Sequence, residues 1–176
     1  MEKDKKVRNL LQKDIDPTYR VDFEELALDA GFTITDDGRI LFEDIADLPP
    51  TQLLHIMAKT VVIIEYIDSR RSLVIALAKQ QNIEADAREA KVKLEYQKER
   101  KFERGSKSDA DLVAKQDKEL VQLRKKIASY EAFAQYLKNL IDVFTMSHYM
   151  AKVALNSAKS RYSMEGSGGL SGNFGE

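Results

Sequence analysis

Thirteen positions, Val113, Gln116, Leu120, Leu123, Ile127, Tyr130, Ala134, Leu137, Ile141, Phe144, His148, Ala151 and Leu155, succeed one another at strictly alternating intervals of three and four. A mean spacing of 3.5 keeps side chains on one stripe of an α-helix, so this part of the chain is read as a long helix whose seam faces another helix. From Phe133 a second row joins the seam, namely Phe133, Tyr136, Leu140, Val143 and Met150. A narrow stripe at the start and a wide one later predict one partner near the start and several further along. Gln116, the polar seam position, either fixes register or marks a solvated start.

The partner precedes it. Between Thr51 and Arg104 there is no Gly or Pro, and Leu53, Met57, Ile64, Ile67, Val74, Leu77, Ala85, Val92 and Tyr96 recur at helical intervals. A continuous helix of that length would measure about 80 Å, with the polar stretch Asp68 to Ser72 as a candidate bend. Gly105 is suited to end this helix, and Ser108, with Asp109 and Asp111 after it, to cap the next. The expected fold is mainly α, a long antiparallel helical hairpin or coiled coil over residues 51–163, splayed near Gly105. Apolar rows of this extent on an open hairpin predict self-association, with Tyr130, Leu137, Ile141, Phe144, His148 and Leu155 as the oligomer interface.

Residues 1–50 have a different character, with 7 Lys/Arg against 13 Asp/Glu. They read as a small acidic α/β cap: a charged helix, a turn at Asp16-Pro17, a helix capped by Asp22 and stopped by Gly31, and a hairpin. The hairpin would pair Phe32 to Thr35 with Arg39 to Glu43 around Asp36-Asp37-Gly38. Pro49-Pro50 then imposes extended backbone, leaving Thr51 as N-cap or first-turn residue. Residues 164–176 hold five of the eight glycines and are expected to form a disordered tail.

Several function classes are excluded by absence. Without cysteine there is no disulfide framework, thiolate zinc site or cysteine nucleophile, and a reducing compartment is the default. The N-terminus is too charged for a signal peptide, and no apolar run approaches a membrane span, so a cytoplasmic protein is expected. His55 and His148 lack metal-ligand spacing, and no phosphate loop, dinucleotide fingerprint or serine elbow occurs. We therefore expect neither an enzyme nor a resident metal or cofactor.

The most informative cluster lies between residues 88 and 107, where Arg88, Lys91, Lys93, Lys98, Arg100, Lys101, Arg104 and Lys107 outnumber Glu89, Glu95, Glu99 and Glu103 and interleave with Tyr96 and Phe102. Cations that neutralise phosphates beside aromatics on which bases stack suit sequence-tolerant binding of single-stranded nucleic acid. The competing reading is a solvated helix in which Glu89–Lys93 and Glu103–Lys107 are ion pairs one turn apart, worth a few tenths of a kcal/mol each. Helical phase places Lys93, Arg100 and Arg104 on one face and Lys91 and Lys98 nearly opposite.

Within this cluster, Ala90-Lys91-Val92-Lys93-Leu94-Glu95-Tyr96 resembles the Lys-x-Arg/Lys-Leu-acid-Tyr motif of the UvsY-like phage recombination mediators. Asp117-Lys118-Glu119-Leu120, with Lys126-Ile127, Tyr130 and Tyr136-Leu137, is similar to the aspartate-lysine-acid stretch and aromatic-rich helix that lie C-terminal to that motif in the family. The resemblance covers residues 55–160. It implies a ring-like homo-oligomer that binds single-stranded DNA and helps load a RecA-type recombinase onto DNA coated by single-stranded-DNA-binding protein, in the host cytoplasm. It also implies DNA contact by Lys91 and Lys93, with Tyr96 as a packing or stacking residue; the other basic positions rest on charge alone. The acidic head and the glycine-rich tail depart from the family pattern. The alternative is a structural coiled coil or virion assembly scaffold, and a third reading is an adaptor whose acidic cap binds a basic partner.

Overall fold

The computed structural model describes residues 12–13, 15–33, 45, 47–99 and 107–167, which are mainly helical, with no strand among them. A 3-10 turn, Pro17–Tyr19, precedes four helices: α1 (Phe23–Asp29), α2 (Pro50–Glu99), α3 (Lys107–Gln116) and α4 (Lys118–Ser167).

Local chemistry sets the helix ends. Asp16 caps the 3-10 turn by accepting from the Thr18 N–H at 2.9 Å. The Asp22 carboxylate accepts from the N–H groups of Glu24 and Glu25 at 3.0 and 3.2 Å, satisfying two donors that α1 leaves open. At the other end Gly31 takes φ +85°, its N–H donates to Leu28 O and that of Phe32 to Ala27 O. Those paired bonds form a Schellman cap, which needs left-handed backbone and therefore favours glycine. α2 starts at Pro50, where a missing N–H costs nothing, and Thr51 sits in the first turn.

The described residues form two compact units. The first comprises residues 21–33, 45, 47–68 and 139–167. Its interior holds Leu53, Ile56, Ile63 and Ile67 of α2 and Leu140, Phe144, Ala151 and Leu155 of α4, all buried. Phe23 and Phe32 lie 5.9 and 6.5 Å from the Phe144 ring, tilted at 56° and 48°. Two small polar residues are buried there, Thr60 and Ser147, and each satisfies its hydroxyl on its own helix, donating to Ile56 O and Val143 O. His148 Nδ1 lies 3.2 Å from both Met57 O and Thr60 Oγ1. A carbonyl can only accept, so Nδ1 carries the proton.

The second unit comprises 12–13, 15–20, 69–99 and 107–138. Its contacts pair Lys93 with Asp111, Arg88 with Asp117, and Glu89 with Arg124, while Arg71 to Asn82 line one groove with Glu131 to Gln135. Rising numbers on α2 meet falling numbers opposite, so these segments run antiparallel. Its interior holds Ile15, Val74, Phe133 and Leu137 and, nearer Asp117, the cluster Ala85, Val92, Ala114, Leu120 and Ile127, with Leu123 against it. Arg20 and Arg70 fasten the 3-10 turn by donating to the carbonyls of Ile15 and Thr18.

Several expectations are corrected. The second long helix is not continuous, because Asp117 ends α3 and starts α4. That restart resets the phase, so Val113 and Gln116 are exposed and Ala110 and Ala114 are buried in their place. Ser108 lies inside α3 instead of capping it, since the helix already begins at Lys107. Asp68 to Ser72 stays helical, and the boundary between the two units falls there. Of the expected α/β cap, Phe32 and Thr33 are not in a strand, and Phe32 serves the aromatic cluster instead; the rest of the hairpin lies outside the described residues. Residues 164–167, assigned to the tail, continue α4; 168–176 lie outside the described residues, as does the break at Gly105.

Candidate nucleic-acid interface

The C-terminal turns of α2 carry the basic cluster, and the structure divides its members. Arg88 donates to both carboxylate oxygens of Asp117, from Nε to Oδ1 at 3.1 Å and from Nη2 to Oδ2 at 2.7 Å, and its Nη1 lies 3.1 Å from Glu119. Asp117 is also the N-cap of α4, accepting from the Leu120 N–H at 2.8 Å. The Arg88 guanidinium, with that backbone donor, holds the Asp117 carboxyl down to about 2, and Asp117 in turn raises Arg88 above its ordinary value.

Lys93 is enclosed by two carboxylates, Asp111 of α3 and Glu89 one turn back on α2, each at 2.6 Å. Asp111 first and Glu89 second push its ammonium up, while Lys93 lowers both carboxyls. Glu89 also meets Arg124 of α4. The Glu89–Lys93 pair anticipated for a solvated helix is therefore present, within a larger network of Lys93, Glu89, Asp111 and Arg124.

Lys91 differs: its side chain is 63% exposed against 32% for Lys93, and its nearest ion-pair contact, Glu95, is at 4.0 Å. Lys98, two turns further along the same flank, is exposed, and Tyr96 is half-buried. Arg100, Lys101 and Arg104 lie outside the described residues, and Lys107 is the first residue of α3. So α2 brings Lys91 and Lys98 together on an open flank and places Lys93 on the other side of the buried row Ala85–Val92, in an ion-pair network.

The residues expected at an oligomer interface fall into two groups. Leu137 and Phe144 are fully buried and Leu155 nearly so, within the single chain, while Tyr130, Ile141 and His148 are half-buried. In the first unit the extra partner of the wide face is the chain's own Phe23 and Phe32. Apolar side chains left outside in the first unit include Met146, Tyr149, Met150 and Val153 on α4 and Leu54, Val61, Val62 and Tyr66 on α2. Helical phase sets Met146, Tyr149 and Val153 opposite the buried Phe144, Ala151 and Leu155, and Leu54 and Val61 opposite Ile56, Ile63 and Ile67.

Among the described residues no group of three His, Cys, Asp or Glu is placed to hold a metal ion, and no helix is long and apolar enough to cross a membrane. Comparison with known proteins finds no matching family model, curated protein or solved structure.

The sequence did not reveal Asp111 and Asp117 as partners of Lys93 and Arg88. The available signal was Asp117 before Lys118-Glu119, an N-cap residue with an acid in the first turn after it.

Proposed function

We propose that this chain is a non-enzymatic recombination mediator of the UvsY-like type, which binds single-stranded DNA and helps load a RecA-type recombinase onto strands coated by single-stranded-DNA-binding protein. The observation that carries the DNA-binding part is the open flank of α2. Inside the motif that resembles the family's DNA-contact segment, Lys91 stands exposed, with Lys98 exposed two turns further along the same flank. Such a row offers salt-sensitive, sequence-tolerant phosphate contacts. The recombinase and coat-protein partners, and the host cytoplasm as the place of action, rest on the resemblance alone.

Self-association belongs to the same proposal. We assign it to the outward rows, Leu54, Val61 and Val62 on α2 and Met146, Tyr149 and Val153 on α4. A helix apolar on two opposite sides is one that a second body covers.

The test is anisotropy of a labelled single-stranded oligonucleotide with the wild-type chain and with Lys91→Ala/Lys98→Ala. Several-fold weaker binding by the double variant, with helicity unchanged, supports the reading; equal binding refutes it. A second reading, a structural coiled coil or virion assembly scaffold, is favoured by the fact that Arg88 and Lys93 are occupied by carboxylates. It predicts no oligonucleotide binding by either protein.

A further inference from the structure

α3 has little apolar hold on the chain. Among its residues 109–116 only Ala110 and Ala114 are buried, whereas the larger Leu112 is 59% exposed and Val113 is also exposed. Burying two methyl groups removes little apolar surface from water, and a helix of this length is marginal by itself in water. Asp111 attaches it to α2 by an ion pair, 2.6 Å from Lys93. A segment with two small buried side chains and a half-exposed ion pair belongs to the low-stability end of local opening.

Lys93 is also one of the two lysines in the motif that resembles the family's DNA-contact segment. Carboxylate and phosphate oxygens compete for the same ammonium donor, with similar geometry. Releasing Lys93 does not strand its neighbours: Glu89 retains Arg124, and Lys115 of α3 still lowers the Asp111 carboxyl.

We propose that α3 is an electrostatic strap in which Asp111 occupies Lys93 in place of a phosphate, and that a single-stranded nucleic acid displaces it. The strap turns at Asp117, the one non-helical residue between α3 and α4, which stays fixed as the N-cap of α4. In the closed state the strand meets Lys91 and Lys98; in the open state it gains Lys93 on the other flank. The chain thereby holds part of its cationic surface in reserve until a polyanion arrives. This inference rests on the nucleic-acid reading for its ligand.

The experiment uses the full chain, a labelled oligothymidylate, and two variants of equal charge change: Asp111→Asn, which releases the strap, and Asp86→Asn, an exposed α2 position outside the network. Asp111→Asn is expected to bind roughly three- to tenfold more tightly than wild type, about the worth of one to two surface ion pairs, and Asp86→Asn to change affinity less than twofold. Hydrogen exchange of residues 107–116 should accelerate when the oligonucleotide is added, with 120–155 unchanged. An Asp111→Asn gain no larger than that of Asp86→Asn, or slower exchange of 107–116 on binding, overturns the strap. If no protein binds the oligonucleotide, the nucleic-acid reading fails, and exchange without ligand decides the strap separately. Faster exchange of 107–116 as sodium chloride rises supports it, and exchange indifferent to salt overturns it.

Discussion

Around Phe144 the chain is held by aromatic rings and β-branched and leucine side chains, with Thr60 and Ser147 satisfied on their own helices. Around Asp117 the same two long helices, α2 and α4, are held by alanines, a few larger aliphatics and a mesh of Arg88, Glu89, Lys93, Asp111, Asp117 and Arg124. Apolar burial is worth kilocalories per side chain and is insensitive to salt, whereas half-exposed ion pairs are worth little and are screened. The surroundings of Phe144 therefore supply stability, and the ion pairs around Asp117 can exchange partners at small cost, as a surface that meets a polyanion requires.

The strongest challenge to this contrast is Phe144→Ala. It removes the ring that Phe23 and Phe32 share, and should cost about 4 kcal/mol in urea denaturation; a loss below about 1 kcal/mol would mean that the aromatic cluster is not a stabilising one. Leu120→Ala, in the alanine-rich cluster, should cost about 2 kcal/mol, and a loss equal to that of Phe144→Ala would erase the distinction. Gly31→Ala should cost about 1 kcal/mol, because the left-handed backbone at φ +85° strains any Cβ, while the nearest atom that Cβ would meet, Ile56 Cγ1 at 3.9 Å, is at ordinary contact distance. If the variant is as stable as the wild type, the Schellman cap contributes nothing measurable.

The smallest effect concerns acid. Asp117 is held to about 2 against an ordinary 3.8, so its contribution to stability is present above 3.8 and is lost as pH falls from there through 2. Arg88→Gln should return the Asp117 titration, monitored by carboxyl NMR, towards the ordinary value. A midpoint unmoved by that substitution would show that the Leu120 N–H alone depresses it.

The same contrast explains what the sequence discloses. In α4 the seam from Leu120 to Leu155 is legible because its buried positions are large and apolar, and Leu120, Ile127, Leu137, Phe144 and Leu155 all lie inside. It fails in α3, where Ala110 and Ala114 are buried and the larger Leu112 and Val113 lie outside, so hydrophobicity points to the wrong face. Asp117 breaks the helix without glycine or proline, by capping, and composition alone does not distinguish such an aspartate from a solvated one. In the candidate site the Glu89–Lys93 pair is legible one turn apart, whereas Asp111 reaches Lys93 only through tertiary structure. Counting cations therefore overstated the free charge, since Arg88 and Lys93 are paired and Lys91 and Lys98 remain exposed.

The measurement that bears most directly on the proposed function is anisotropy of a labelled single-stranded oligonucleotide titrated with the full chain at low and at moderate salt, with duplex of equal length as competitor. The account predicts tight binding at low salt that weakens steeply as salt rises and that duplex competes for poorly. No binding to either form at low salt would contradict it and leave a structural coiled coil as the reading of this chain.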